Sequence, residues 1–419
     1  MKPVTMLIIG GGGRGTGYAN FATIHPELAK VVGVAEPRDF YRDRLAKTHA
    51  IPAKNVFADW RQAARRPRMA DAAFVCTQDA MHAGPTIALA KKGYHILLEK
   101  PMAPTEADCR RIVKAVLAAK VLCAVGHVMR YTDYTQKLKS LVASGLIGDV
   151  VSMQHLEPVG YWHQAHSFVR GNWRNTAESS PMLMSKSCHD MDWMHYLMGA
   201  RCERVTSFGS LYHFRKEQQP AGAADRCLDC SVEATCPYSA KKIYMGRLER
   251  GEKWWPLDVV TTDMTAEGVT KALREGPYGR CVFACDNDVV DNQIVTMEFS
   301  GGRTVTFTMT AFNPGSDRKT RLFGTRGYLQ GDGRHIEHFD FLTDKLETID
   351  TQVDDEAAKA GHGGGDYRLM QAFIGAVATG DASKILSGPT ETLESHLMVF
   401  AAEKARLKGR VVEVPSLNV

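Results

Sequence analysis

Short apolar runs, each followed by a stretch with helical spacing, dominate the first third of the chain. "VTMLIIG", "AKVVGVAEP", "AAFVCT", "YHILLEK" and "VLCAVGH" read as strands. Helical patterns fall at Gly17 to Ile24, "HAGPTIALAKKG" and "PTEADCRRIVKAVLAAK", where Thr105 and Asp108 resemble a capping box. Near-continuous apolar strands separated by helices predict a parallel, doubly wound sheet. After Arg130 the period changes. "QIVTMEFSGG", "TVTFTMTAF" and "TRLFGTRGYLQGD" alternate at period two between glycine turns, which predicts antiparallel strands. Helices return at "DYRLMQAFIGAVATG" and "TETLESHLMVFAAEKARLKG". The expected class is α/β: a doubly wound parallel sheet up to about Arg130, then a region of antiparallel strands and two helices. Residues 215–285 are rich in Cys, Arg and Pro with weak periodicity and read as an insertion.

The turn after the first strand reads Gly10-Gly11-Gly12-Gly13-Arg14-Gly15, with Gly10, Gly12 and Gly15 in G-x-G-x-x-G register. A strand before it and a helix after it give the context in which glycines let backbone approach a pyrophosphate. Glu36 ends the second strand, where an acid accepts ribose hydroxyls and repels a 2′-phosphate. That favours NAD over NADP, while Arg38 works the other way. Thr77 and His82 lie at the carboxyl edge of the sheet, on the nicotinamide side; a helix cap is the plainer reading of His82.

The fourth strand runs straight into Glu99-Lys100-Pro101. Proline lacks the N–H that the ladder needs, so the strand stops there and Lys100 falls at the ligand-binding end of the sheet. In "PMLMSKSCHDMDWMHYLMG", His189 and Asp192 fall on one helix beside its first turn, where a histidine can serve as acid or base.

The glycine turn, Glu99-Lys100-Pro101 and the His189/Asp192 helix together resemble the glucose–fructose oxidoreductase / inositol dehydrogenase (Gfo/Idh/MocA) family, over essentially the whole chain apart from the Cys-rich middle. The resemblance implies hydride transfer between NAD(P) and a carbinol carbon of a sugar, cyclitol or sugar derivative. It implies that the glycine turn, Glu99 and Lys100 border the cofactor, that Lys100 holds the substrate hydroxyl, and that His189 takes its proton. It also implies a Rossmann domain over residues 1–128, then an α+β substrate domain over 129–419 that starts near Arg130 and Tyr131 and has a large, mostly antiparallel open sheet, and a homodimer or homotetramer. One position departs from the pattern: the family's Asp four residues before the His is Ser185 here, beside Lys186. Lys186 is therefore a second candidate for proton transfer or for an anionic substrate. A redox-neutral lyase or glycosidase with bound, recycled NAD is the alternative activity.

Tyr161, His163, His166, Arg170, Trp173 and Arg174 mix aromatic faces with cationic forks, which suits a sugar or an anion. "GHGGGDYRL" puts His362 or Asp366 at the rim of the same pocket, with a helix cap as the plainer role for Asp366. Cys227, Cys230 and Cys236, with Cys281 or Cys285, offer four thiolates for a structural zinc; bare thiols and iron–sulfur ligation remain alternatives.

Composition narrows the partners. The 419 residues carry a formal charge of only +5 with no block of like charge, so nucleic acid is not an expected partner. No apolar run is long enough to span a bilayer, no secretory signal is visible, and ten cysteines without a disulfide framework fit the cytoplasm.

Overall fold

The computed structural model describes residues 2–315, 317–355 and 361–418. Six parallel strands form the first sheet: β1 (Val4–Ile9), β2 (Ala29–Ala35), β3 (Val56–Phe57), β4 (Ala72–Val75), β5 (His95–Leu98) and β6 (Cys123–Val125). Their order is β3-β2-β1-β4-β5-β6, so the chain reverses direction across the sheet between β1 and β4. Five of these strands match the apolar runs; β3 pairs with β2 through two residues, too short for a periodic signal. The central strands are almost wholly apolar and buried because helices cover both faces. Helix α1 (Gly13–Ile24) starts directly from the glycine turn, and α2 (Asp39–Thr48) follows β2. Helix α3 (Glu106–Ala119) is capped by Thr105, whose hydroxyl accepts from the Asp108 amide.

The second sheet has nine strands: β7 (Val150–Pro158), β8 (Cys202–Ser210), β9 (Asn292–Phe299), β10 (Arg303–Thr310), β11 (Lys319–Gly324), β12 (Gly327–Gly331), β13 (His335–Asp340), β14 (Lys345–Asp350) and β15 (Val412–Glu413). Only β7 and β10 pair in parallel. Period-two alternation buries Val295, Met297 and Phe299 of β9 and Val305, Phe307 and Met309 of β10 on one face. Helices α4 (Cys188–Met198) and α6 (Pro389–Lys408) pack on that face. Helix α5 (Gly365–Thr379) lies between them in sequence and packs instead on the first sheet: Phe373 meets Phe74 edge-on at 5.6 Å.

The insertion departs from expectation. It joins a buried core in which Phe214, Tyr238, Tyr244, Leu257, Val269, Leu273, Val282 and Phe283 pack together with Ala165, Val169 and Ala311 of the surrounding domain. Val269 and Leu273 lie one turn apart on a helix (Ala266–Glu275) that the sequence reading missed, and the other buried residues sit on short or irregular segments without a period. The expected metal centre is corrected accordingly. Among the described residues no group of three or more His, Cys, Asp or Glu could hold a metal ion. Cys227, Cys230, Cys236, Cys281 and Cys285 are all free thiols. The Cys227 sulfur accepts from Arg170 Nη2 at 3.4 Å, and the Cys285 thiol donates to the Cys281 carbonyl at 3.3 Å. A segment anchored to the domain through a buried aromatic cluster does not need a metal tie. No helix among the described residues is long and apolar enough to cross a membrane.

Candidate active site

Backbone geometry requires glycine at two points of the first turn. Gly10 has φ +94°, and a Cβ there would lie 2.5 Å from the Cys76 carbonyl oxygen; a Cβ on Gly15 would lie 1.9 Å from the Gly10 oxygen. Gly13 faces open space. Helix α1 has no side-chain cap and no acid in its first turn, so its leading N–H groups have no side chain to satisfy them. The Thr77 hydroxyl, beside Gly10, is buried without a hydrogen-bond partner. An open glycine cradle, an uncapped helix and an orphaned hydroxyl fit a dinucleotide pyrophosphate and its nicotinamide end.

Glu36 is buried and anchors the turn: Oε2 accepts from the Gly11 amide at 2.7 Å, and Oε1 from the Arg38 amide at 2.9 Å and its Nε at 2.7 Å. Burial opposes its ionisation, yet the Arg38 and Gly11 bonds hold the carboxyl below its ordinary range. His82 contacts two carbonyls, Pro101 O at 2.8 Å and Thr77 O at 3.1 Å, so it ties two strand-end loops together.

Glu99 is a buried hub. Oε1 accepts from Arg14 Nε at 2.6 Å and from the Tyr18 hydroxyl at 2.5 Å, and Oε2 from the Lys100 amide at 3.0 Å. Arg14 also reaches Asp366 Oδ1 at 2.9 Å, joining the glycine turn to α5. The Lys100 ammonium donates to the Ser185 carbonyl at 2.9 Å. At the position where the family pattern has the Asp that orients the imidazole, it is the Ser185 backbone carbonyl, not a side chain, that contacts the lysine.

His189 is 6 % exposed, and its Nδ1 is buried without a partner. Its ring lies 5.7 Å from that of His127 and 6.0 Å from that of His362. Burial, then the charge of Lys100, then His127, His362 and Arg318 hold its pKa well below the ordinary histidine value, so the imidazole is neutral at pH 7. Lys186 does not stand free beside it. Its ammonium pairs with Glu157 at 3.0 Å, Glu157 pairs with Arg318 at 2.9 Å, and Arg318 pairs with Asp190 at 2.5 Å.

The aromatic–cationic stretch divides. His163 lies near Lys100 and Lys186; burial first, then Lys186, His166 and Lys100, depress its pKa. Trp255 of the insertion meets its ring edge-on at 5.0 Å. Trp173 Nε1 donates to Asp79 Oδ2 at 3.2 Å, bridging the two domains. The others are engaged elsewhere. His166 bonds the Tyr244 hydroxyl at 2.9 Å and stacks on Tyr278. Arg170 donates to the Arg280 and Tyr238 carbonyls, and Arg174 forks onto Asp286. Tyr161 packs at the insertion, with Lys242 over its ring. Arg130 forks onto Asp192 with both bonds at 2.7 Å, and the Tyr131 hydroxyl binds the Leu386–Ser387 backbone.

Sequence reasoning passed over Asp79, a buried acid beside Lys100 and His82 whose pKa burial raises. It also missed Glu157, Arg318 and His127. Asp79 follows β4 by four residues, a readable signal; Glu157 and Arg318 meet only through strand pairing.

Residues 4–127 match the family model described as "Oxidoreductase family, NAD-binding Rossmann fold", and residues 139–414 match "Oxidoreductase family, C-terminal alpha/beta domain". The chain belongs to the Gfo/Idh/MocA oxidoreductase family. YteT of Bacillus subtilis (strain 168) is 23% identical over 327 residues, covering 73% of this chain and 72% of that protein. The 2,7-anhydro-N-acetylneuraminate hydratase of Escherichia coli (strain K12) is 27% identical over 202 residues, 48% of this chain and 51% of that protein. A levoglucosan dehydrogenase solved in complex with NADH superposes with a TM-score of 0.72 at 18% identity, over 99% of this chain and 100% of the other. At that identity the likeness establishes the fold.

Proposed function

We propose that this Gfo/Idh/MocA protein is a dehydrogenase that transfers a hydride between NAD and a carbinol carbon of a sugar, cyclitol or sugar derivative. Lys100 and His189 carry the reading: a strand-end ammonium and a neutral buried imidazole, brought together from two domains beside the dinucleotide cradle. NAD would be held by the Gly10–Gly15 turn, Glu36 and Thr77, and when bound it supplies the hydride acceptor. Lys100 has one N–H committed to Ser185. Its other two can hold the substrate hydroxyl oxygen and stabilise negative charge there. A carbonyl partner leaves the lysine's charge uncompensated by that bond, which favours the developing alkoxide. His189 accepts the hydroxyl proton. NAD is favoured over NADP because Glu36 is ionised and Arg38 is already paired with it. A boundary near residue 128, a homo-oligomer and a cytoplasmic setting complete the proposal.

A second reading has its own observation. His163 is a further imidazole near Lys100 whose charge state burial keeps neutral. A second base suits a redox-neutral elimination or glycoside cleavage, in which transient oxidation acidifies a neighbouring C–H. A panel of sugars and cyclitols followed by nicotinamide absorbance, with product analysis in parallel, separates the two. NADH formed in step with product supports the dehydrogenase; product without net NADH supports the second reading. Neither signal would sink both.

A further inference from the structure

Oxidising a carbinol with NAD releases one proton per turnover: the hydride leaves carbon for the nicotinamide, and the O–H proton passes to His189. That proton must then leave, because His189 has to be neutral for the next cycle. Its surroundings disfavour retention. The ring is buried, and Lys100 and Arg318 place positive charge against it. Two imidazoles flank it. His127 is 1 % exposed, both its ring nitrogens lack hydrogen-bond partners, and beyond it lies His396, fully buried at 5.6 Å between ring centroids. That direction ends in the core.

The other flank opens outward. His362 has a 45 % exposed side chain, and its Nδ1 is 2.9 Å from Asp366 Oδ2. Asp366 is fixed in turn by Arg14 of the glycine turn at 2.9 Å. A carboxylate on Nδ1 sets the tautomer and aims Nε2 away, the arrangement that equips a histidine for proton transfer. The backbone around it is unusual: His362 has φ +54°, and Gly363 and Gly364 also have positive φ. Holding a non-glycine side chain there is a cost that the loop carries to present this ring. Asp366 does not cap α5, whose first turn has no side-chain cap.

We propose that His362, oriented by Asp366, carries the proton from His189 to solvent. The step moves only a proton: His189 N–H breaks, His362 N–H forms directly or through one bridging water, and bulk water or buffer takes the proton from His362. This inference rests on the dehydrogenase reading above.

His362→Ala tests it, since the residue lies on an exposed loop. The variant should keep its thermal midpoint and its KM values within about twofold, while kcat falls about 10-fold or more when a positioned proton carrier is lost. Added imidazole should restore kcat in proportion to its concentration, and leave the unaltered protein unaffected. A structural role would not be rescued by buffer. Independently of turnover, Asp366→Asn should change the tautomer of the His362 ring in ¹⁵N NMR spectra. An unchanged kcat in His362→Ala, a loss that imidazole does not relieve, or an unaltered tautomer would each overturn the proton exit while leaving the dehydrogenase standing. Unaltered protein that reduces no nicotinamide with any polyol would overturn the dehydrogenase and this inference together.

Discussion

Arg130→Met separates a substrate ligand from a structural ion. Arg130 is 2 % exposed and Asp192 1 %; two 2.7 Å bonds join them, and Arg130 Nη1 donates to the Leu386 carbonyl at 2.6 Å. Methionine fills much of the volume but strands the carboxylate, which keeps the Ser395 hydroxyl at 3.0 Å and His127 at 3.7 Å. Breaking a buried pair from one side costs about 3–5 kcal/mol. For 419 residues, about 2.1 cal/mol/K per residue gives an unfolding entropy of about 0.9 kcal/mol/K, so the midpoint should fall by about 3–6 °C. The pH dependence has a definite sign. Burial opposes ionisation of Asp192, but Arg130 and then His127 hold its carboxyl down to about 2. Its contribution is therefore complete above the unfolded value near ~3.9 and lost as pH falls through about 2, worth about 2.5 kcal/mol. With Arg130 gone, burial wins and the carboxyl rises above its unfolded value. The group then stabilises the fold only when protonated, so the variant's deficit should be larger at pH 8 than at pH 5. Scanning calorimetry at both values, with KM measured alongside, is the assay. A wild-type midpoint accompanied by a raised KM would refute the reasoning and return Arg130 to the substrate.

Lys100→Ala should leave NAD affinity nearly intact and lower turnover by about 10²-fold or more; near-normal kcat would remove it from the mechanism. Because burial and Lys100 keep His189 neutral, kcat/KM should stay flat through pH 6.5 and fall only in more acid solution; an acidic limb at or above 6.5 would exclude His189 as the base. Gly15→Ala would put a Cβ 1.9 Å from the Gly10 oxygen, so NAD binding by titration fluorescence should be lost while the far-ultraviolet spectrum persists. Glu36→Ala should narrow the preference for NAD over NADP, and equal affinities in the unaltered protein would contradict the assigned role.

The sequence by itself determined the two-sheet organisation, the glycine turn with Glu36 and the strand end at Lys100. These rest on local physics: apolar runs covered on both faces, glycines demanded by close backbone contacts, and a proline that ends a ladder. It also placed His189 on its helix beside Ser185 and Lys186. Tertiary structure decided what each charge does. Arg130, Arg170 and Arg174 are as cationic in sequence as Lys100, but the fold turns their forks toward Asp192, the Arg280 and Tyr238 carbonyls, and Asp286. Lys186, in the turn just before α4, meets Glu157 of β7, and Arg318 reaches Asp190 across 128 residues. Glu99 meets Asp366 through Arg14 because α5 returns to the first sheet. The insertion's thiols had a ligand's spacing, yet packing of Phe214, Tyr238 and Phe283 around them supplied a core without one. Pairings between distant residues follow from how sheets and helices stack, and no local period encodes them.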